Sequence, residues 1–553
     1  MAEEQAGPVN RIVFYPFSYA LFTNELAAYC WYCLKADTSK RHCTGCGFAL
    51  FCDKTCQTLG WKDHKAECKG FRKAKAIPDI ETRLLGRIVL RYKTIYSGKD
   101  KEDPDFYKDR TSKRNLLDIW SHAKEMSNDP QAIAKFEEVY ANLTAFYEQK
   151  FLLSKDTIWQ LHCRDYINRH AICDNGYVRE IGKGLYLDLC QYDHSCRPNS
   201  IYTCDGFVAT LRGLGPKVDL SNIKSTYYTY IDLLNPLQQR RKLLRDTWYF
   251  TCECNRCTDN NDHKLTAVLC PNCPIGDQES LCIFGTHPYK DPESLKITCP
   301  KCEKTVPNEY VAFAIETMRS VDAIFEKDEL DKFPTRKEQL DFLNELFHQY
   351  ARVFPATNVF LGRLIQGLIE RVSSNEDLLR LHLASEPCVR LCFPKNHPAV
   401  AFHLRNIGIF LVNLDLYEES IPYYEEADRM LSFVLDANHA LTEENMKMLD
   451  NAKSKVTDIK RKERFANLST EQKRKMIEDD IKKLRFEQSL KDKKEKEATS
   501  KAEKEGKDAE EGKIAEEVKR DETEGESTKM EETSVKPLVN FSDDFDDMPA
   551  LVE

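Results

Sequence analysis

The apolar positions of this chain change period several times. Two short runs near the start, Arg11-Ile-Val-Phe-Tyr and Ala20-Leu-Phe, predict strands within residues 10–29. From 72 to 160 the spacing turns helical. Leu84, Leu85, Ile88, Val89 and Tyr92 recur three and four residues apart, a charged break follows at Gly98–Asp105, and a second helical stretch is expected from about Lys113 to Phe151. Between Ala171 and Tyr230, short β-like runs are divided by Gly176, Gly182, Gly184, Gly206 and Gly213. A basic helix is expected over Gln238–Arg245, and residues 310–450 are helical again. From 454 to about 534, Lys, Glu, Asp and Ser dominate. The part up to roughly Lys494 suits a solvated helix, and the rest is too polar to bury a core and is expected to be disordered. The run Phe541-Ser-Asp-Asp-Phe-Asp-Asp-Met548 reads as an unstructured acidic end, with a short docking motif as the alternative.

With 553 residues, two or three domains are expected. No apolar run is long enough to cross a bilayer, and Met1–Val9 is acidic and polar rather than basic then apolar. Twenty-two cysteines without a secretory pattern read as an intracellular, metal-binding chain. The net charge of -9 speaks against general nucleic-acid binding and would attract a basic, lysine-rich substrate.

The cysteines carry the chemistry. Cys30-x2-Cys33, Cys43-x2-Cys46, Cys52-x3-Cys56 and His64-x3-Cys68 form four ligand pairs in series, enough for two tetrahedral zinc ions. Buried or disulfide-bonded cysteines are the alternative. The expected wiring interleaves: Cys30, Cys33, Cys52 and Cys56 on one ion, and Cys43, Cys46, His64 and Cys68 on the other. The spacing by itself leaves that wiring open. With so few apolar residues in the segment, metal would supply its folding energy. Downstream, Cys252-x-Cys254-x2-Cys257 lacks a fourth ligand that Cys196 can supply, which would fold the chain after Tyr230 back onto Asp193–Asn199. Cys270-x2-Cys273 and Cys299-x2-Cys302 offer a fourth site, expected to be structural and to brace this region against the helices that follow; reduced loop cysteines are the alternative.

Phe51, Gln57 and Trp61 complete a pattern that closely resembles a MYND finger, a protein-binding module. The resemblance implies that Gln57 and Trp61 contact a proline-rich peptide. An exposed Trp beside an amide donor suits a polyproline ligand, although Trp61 packing over the zinc loops fits equally. Gly184-Leu-Tyr, Asp193-His-Ser-Cys-x-Pro-Asn199, Tyr230-Ile-Asp, Gln239-Arg-Arg-x2-Leu and the Cys-x-Cys-x2-Cys run resemble a SET domain with its post-SET zinc. Together, over about residues 11–450, the chain resembles the SET-and-MYND-domain (SMYD-type) protein lysine methyltransferases. Residues 397–434, with Ile407, Gly408, Leu411, Ser420, Tyr424 and Ala427, resemble one tetratricopeptide-like (TPR-like) helix pair, and a generic helical hairpin reads the same.

The resemblance implies an α+β organisation. Residues 1–29 would be the N-terminal part of the SET region, shorter than in the family; 30–68 the MYND zinc finger; 69–165 a helical insert; 166–251 the SET core. Residues 252–305 would hold the post-SET and additional four-cysteine zinc, 306–452 the helical TPR-like domain, and 453–553 a charged, largely disordered tail. It further implies methyl transfer from S-adenosyl-L-methionine to a lysine of a histone or other protein, four zinc ions, and residence in nucleus and cytoplasm, with no membrane and no sequence-specific nucleic acid as partner. Tyr230 would be the channel tyrosine, with an ordinary strand tyrosine as the alternative. Asn168, Asp193, His194 (mainly through its backbone), Trp248 and Phe250 would meet the cofactor, Trp248 and Phe250 otherwise being plain core. Three departures stand out: no Gly-x-Gly turn precedes Arg11, Asp193 stands where the family has Asn, and Leu220-Ser-Asn-Ile-Lys-Ser replaces a Gly-Glu-Glu-like stretch. They leave a non-enzymatic MYND/helical adaptor, a transcriptional co-regulator, as the alternative.

Overall fold

The computed structural model describes residues 9–36, 39–74, 77–96, 114–174, 176, 179–283, 296–326, 329–435 and 437–475, scattered positions from 478 to 489, and 548–552. The chain divides into one unit of Met1–Ala452 with Asp543–Glu553, and a second of Lys453–Ser542.

In the first unit, strands β1 (Arg11–Phe14) and β2 (Ser18–Leu21) precede a small hairpin, β3 (Arg41–Cys43) and β4 (Leu50–Phe51). Helix α1 (Lys54–Ala74) then runs through the second half of the cysteine-rich segment and past its end, so the helical region begins before residue 72. Helix α2 (Ile80–Tyr96) follows; the break expected at 98–105 lies outside the described residues. The next long helix is α3 (Pro130–Phe146), not a stretch from Lys113. Asp129 sets its start by accepting from the Gln131 and Ala132 amides, and Pro130, which lacks an amide, fits the first helical position. Among the described residues between α2 and α3, a 3-10 turn lies at Leu116–Asp118 and a single helical turn at Ala123–Met126.

After α4 (Lys155–Asn168), the chain enters the expected β region: β5 (Arg169–Cys173), β6 (Glu180–Leu185), β7 (Asp193–His194), β8 (Ser200–Asp205), β9 (Val208–Gly213) and β10 (Tyr227–Tyr228). Two antiparallel three-stranded sheets form, ordered β1-β9-β8 and β2-β6-β5, while β7 and β10 pair in parallel. Gly182 is needed where β6 meets β2, because a Cβ there would lie 2.3 Å from the Ala20 carbonyl oxygen. Helix α5 (Leu237–Trp248) carries the basic run. A two-stranded ribbon, β11 (Val268–Leu269) with β12 (Leu281–Cys282), leads to a run of helices among the described residues. These are α6 (Asn308–Glu326), α7 (Arg336–Tyr350), α8 (Val359–Ile369), α9 (Asn375–Cys392), α10 (Pro398–Asn413), α11 (Tyr417–Val434) and α12 (Ala440–Ala466).

One core joins the zinc-finger segment, the two sheets and α1–α4. A second joins the ribbon to α6–α9 through Val268, Ile297, Val306, Val311 and Ile315. A third lies between α10 and α11, reaching Leu214 of the β region. The last strand, β13 (Leu551–Val552), pairs antiparallel with β3. Of the acidic run expected to be unstructured, residues 541–547 lie outside the described part, whereas Met548–Val552 are placed on the finger.

Candidate functional site

Four ligand clusters assemble among the described residues: Cys30, Cys33, Cys52 and Cys56; Cys43, Cys46, His64 and Cys68; Cys196, Cys252, Cys254 and Cys257; and Cys270, Cys273, Cys299 and Cys302. Their sulfurs fit a metal. A zinc with bonds of about 2.3 Å sets its sulfurs about 3.8 Å apart. The structure has Cys33–Cys52 at 3.5 Å, Cys43–Cys68 at 4.0 Å, Cys196–Cys252 at 3.9 Å and Cys273–Cys299 at 3.8 Å. His64 turns Nε2 to Cys46 at 3.5 Å. Its Nδ1 faces Glu67, 3.9 Å away, which Arg87 grips with two 2.7 Å bonds. A carboxylate behind a ligating imidazole is the usual orienting partner.

The knuckles share one local cause. The residue after the second cysteine takes a left-handed conformation at Leu34, Gly47 and Glu303. Each donates its amide to the carbonyl of the first cysteine, Cys30, Cys43 or Cys299. Amides of Asn272, Phe48 and Lys301 point at the Cys270, Cys46 and Cys299 sulfurs, which favours thiolate. At the third site the charge also fits. Four thiolates around a dication leave a net negative cluster, and buried Arg240 and Arg256 lie against it, sharing Asp262.

That third site shapes the main cleft. Cys196 lies in the Asp193–Asn199 loop, and Cys252 follows Phe250 by two residues. Ser195 and Asn199 amides donate to the Tyr228 and Tyr227 carbonyls, and the Tyr227 amide donates to Asn199 Oδ1 at 2.8 Å. The loop thus packs on the strand leading into Tyr230. Beside it opens a cleft of about 760 Å³ that Asn168, Asp193, Tyr230, Trp248 and Phe250 line. His194 is buried behind that wall: Nδ1 accepts from the Tyr230 amide at 3.0 Å, and Nε2 lies 3.2 Å from Cys196 Sγ. Asn168 uses its amide hydrogens on the Trp120 and Arg164 carbonyls, leaving Oδ1 to meet a ligand. Tyr230 donates its hydroxyl to the Tyr192 carbonyl at 2.8 Å, and burial raises its pKa. Its ring lies 5.4 Å from Trp248 and 5.1 Å from Tyr228.

A second cavity of about 370 Å³ abuts the first. Tyr202, Tyr228, Thr229, Ile231 and Asp232 line both, and Phe393, Pro398, Phe402 and Leu435 close the second from the helical side. The shared wall is rigid. His170 Nε2 meets the Tyr228 hydroxyl at 2.7 Å, and burial holds His170 down at about 4, so the imidazole is neutral near pH 7.

Within the finger, Gln57 is fully buried and Trp61 is 2 % exposed. Trp61 sets its ring edge-on to His64 at 5.8 Å, the packed arrangement of the two that the sequence leaves open, with Met548–Val552 lying on the finger.

A family model for the MYND finger matches residues 30–68. The chain is 24% identical to N-lysine methyltransferase SMYD2-B of Danio rerio over 449 residues, 78% of this chain and 91% of that protein. It is 28% identical to histone-lysine N-methyltransferase SMYD3 of Homo sapiens over 44% of this chain and 54% of that protein. It is 28% identical to human N-lysine methyltransferase SMYD2 over 46% and 56%. The chain is thus similar to SMYD-type proteins in its finger and over most of its length. Its alignment spans little more than half the length of the two human relatives.

The lining of the cleft fits a nucleoside linked to an amino acid. Trp120, 74% exposed, stands with Trp248 and Phe250 as aromatic surface. Asp193 and Glu81 offer acceptors for an ammonium, while Arg169 and Lys183 offer cations for a carboxylate. Sequence reasoning missed Glu81, Trp120, Arg169, His170, Tyr202 and Tyr228. The local run Tyr227-Tyr-Thr-Tyr230 hinted at Tyr228, and Arg169 and His170 adjoin Asn168; Glu81, Trp120 and Tyr202 come from other segments.

Proposed function

We propose that the chain is an S-adenosyl-L-methionine-dependent protein lysine N-methyltransferase, its β region a SET domain closed by a post-SET zinc and its α10–α11 hairpin part of a TPR-like helical domain. The observation that carries this is the pair of cavities meeting at one tyrosine-rich wall. A cofactor on one side and a lysine side chain on the other would reach each other there.

When bound, the cofactor supplies a methyl on a positively charged sulfur. The lysine nitrogen forms the new carbon–nitrogen bond as the carbon–sulfur bond breaks, sulfur keeps the electron pair, and the amine proton leaves to water. The chain's part is alignment and exclusion of water. Tyr230, Tyr228 and Trp248 would confine the amine, and their apolar rings favour its neutral, nucleophilic form. Asn168 Oδ1 and Asp193 would hold the ammonium end of the cofactor, with Arg169 opposite its carboxylate. Phe250 would cover the adenine, and His194 would fix the Tyr230 backbone.

Protein substrates follow from the names of the relatives, whereas the choice of a histone or another protein belongs to the proposal. So do residence in nucleus and cytoplasm, where thiolates stay reduced, and proline-rich partners for the finger. No helix among the described residues is long and apolar enough to cross a membrane. One observation favours the adaptor reading: Asp193 is an exposed carboxylate on the cleft, and if it faced the cofactor's carboxylate rather than its ammonium it would oppose binding. Calorimetric titration of the purified chain with S-adenosyl-L-methionine separates the two. Saturable binding supports the enzyme, and no binding at millimolar cofactor leaves the adaptor.

A further inference from the structure

The finger carries a ligand already. The Gln57 side-chain amide donates to the Pro549 carbonyl at 2.8 Å, and Lys54 holds Gln57 Oε1 from the other side at 3.4 Å. Thr44 donates both its amide (2.9 Å) and its hydroxyl (2.8 Å) to the Ala550 carbonyl. Leu551 and Val552 then pair with Cys43 and His42 as an added edge strand. The Pro549 ring lies over Gly45, where a Cβ would come within 2.3 Å of Pro549 Cγ. Met548 and Leu551 pack against the finger's core.

These contacts define a recognition mode. An extended peptide adds a strand to β3, main-chain bonds give affinity, and alternate side chains give selectivity. The glycine admits a proline, the residue after it makes only main-chain bonds, and the next position must be apolar. Ninety positions of sequence, 453–542, separate Ala452 from Asp543, where the part of the same unit that carries this segment begins. The segment rests on the backbone of the Cys43–Cys46 knuckle, so zinc must stay bound in any test of it.

We propose that Met548–Val552 is the resident, intramolecular ligand of the finger, and that outside peptides of the pattern Pro-x-apolar must displace it. The inference rests on the finger being a peptide binder and is independent of methyl transfer. A tethered ligand faces its site at an effective concentration on the order of mM for a short tether, falling as the tether lengthens. Even a weakly held segment therefore masks the site from a dilute partner.

The test uses the full chain, zinc-loaded, and a fluorescent peptide of residues 541–553. Anisotropy titration of wild type is compared with Leu551→Lys, which places a charge where the strand packs. The expected result is at least tenfold tighter peptide binding to Leu551→Lys, abolished when Gln57→Ala is added. The Thr44 amide should exchange with solvent at least tenfold faster in Leu551→Lys, while zinc content stays the same. Equal peptide affinity for wild type and Leu551→Lys, with binding lost in Gln57→Ala, overturns the resident-ligand claim but keeps the finger as a peptide binder. No binding to any zinc-loaded variant overturns both. Sedimentation giving a dimer for wild type and a monomer for Leu551→Lys would show docking between two copies and also overturn the intramolecular assignment.

Discussion

The Tyr230 side chain has one polar atom, its hydroxyl, which donates to the Tyr192 carbonyl and lies beside the Tyr228 hydroxyl. Tyr230→Phe removes that hydroxyl while its ring still packs on Trp248 and Tyr228. Transfer of a labelled methyl group should fall by a hundredfold or more with the fold intact; equal rates for mutant and wild type would remove Tyr230 from the channel. Asp193 is the sharper case. If its carboxylate opposes that of the cofactor, Asp193→Asn should tighten binding roughly tenfold, since like charges in a half-open site cost on the order of 1 kcal/mol. If it holds the ammonium, the same change weakens binding, and two titrations decide. At this scale the sequence was legible where chemistry is local. Cys30-x2-Cys33 announces a ligand pair because two sulfurs on one turn have few other uses. Arg169 beside Glu81, and His170 beside Tyr228, could not be read, because their partners lie 88 and 58 residues away along the chain.

At the level of elements, two helical glycines predict opposite outcomes. In α10 a Cβ on Gly408 would lie 2.8 Å from the ring of buried Tyr424, in the tight α10–α11 crossing. Gly408→Ala should destabilise by roughly 1–2 kcal/mol, overpacking outweighing the better helix propensity. In α8 a Cβ on Gly362 meets Cys388 Sγ at 3.4 Å, an ordinary contact. Gly362→Ala should be neutral or stabilise by about 0.5 kcal/mol. Thermal melts of both variants check the pair. The sequence revealed the α10–α11 hairpin because small residues recur at helical spacing. It misplaced the start of α3, because the charged and apolar residues before Asp129 mimic a helical period while the proline and its cap mark the true boundary. It undervalued residues 548–552, because a two-residue strand has no period to detect and here owes its shape to β3.

For the whole molecule, metal and protons set stability. Native protein should carry about four zinc ions per chain, and Cys196→Ser should lose one and loosen the cleft wall; metal analysis with limited proteolysis would show both. Four histidines are buried and held below the usual imidazole range: His162 at about 3, and His170, His382 and His397 at about 4, burial being the main cause in each. In the unfolded chain each protonates near pH 6.5, so the unfolded state binds more protons between about pH 6.5 and 4. Stability is therefore full above that window and falls as pH drops through it, by up to roughly 1 kcal/mol per pH unit for each histidine. His170→Gln should lessen the drop in melting temperature between pH 7 and pH 5 by one histidine's share, a difference that acid loss of zinc, common to both proteins, does not mimic.

Arg256 has a further consequence. It bonds Asp262 and the carbonyls of both Cys196 and Cys392, so one buried cation joins the third metal site to the end of α9. Phe393, the next residue after Cys392, lines the second cavity, and Phe250, two residues before Cys252, lines the first. With zinc bound there, the floor of one chamber and the cover of the other would hang from the same ion. A preparation short of that single zinc would contain two populations, competent and silent, rather than one uniformly slowed. Its specific activity would track the occupancy of this site while the apparent affinity for cofactor stayed constant.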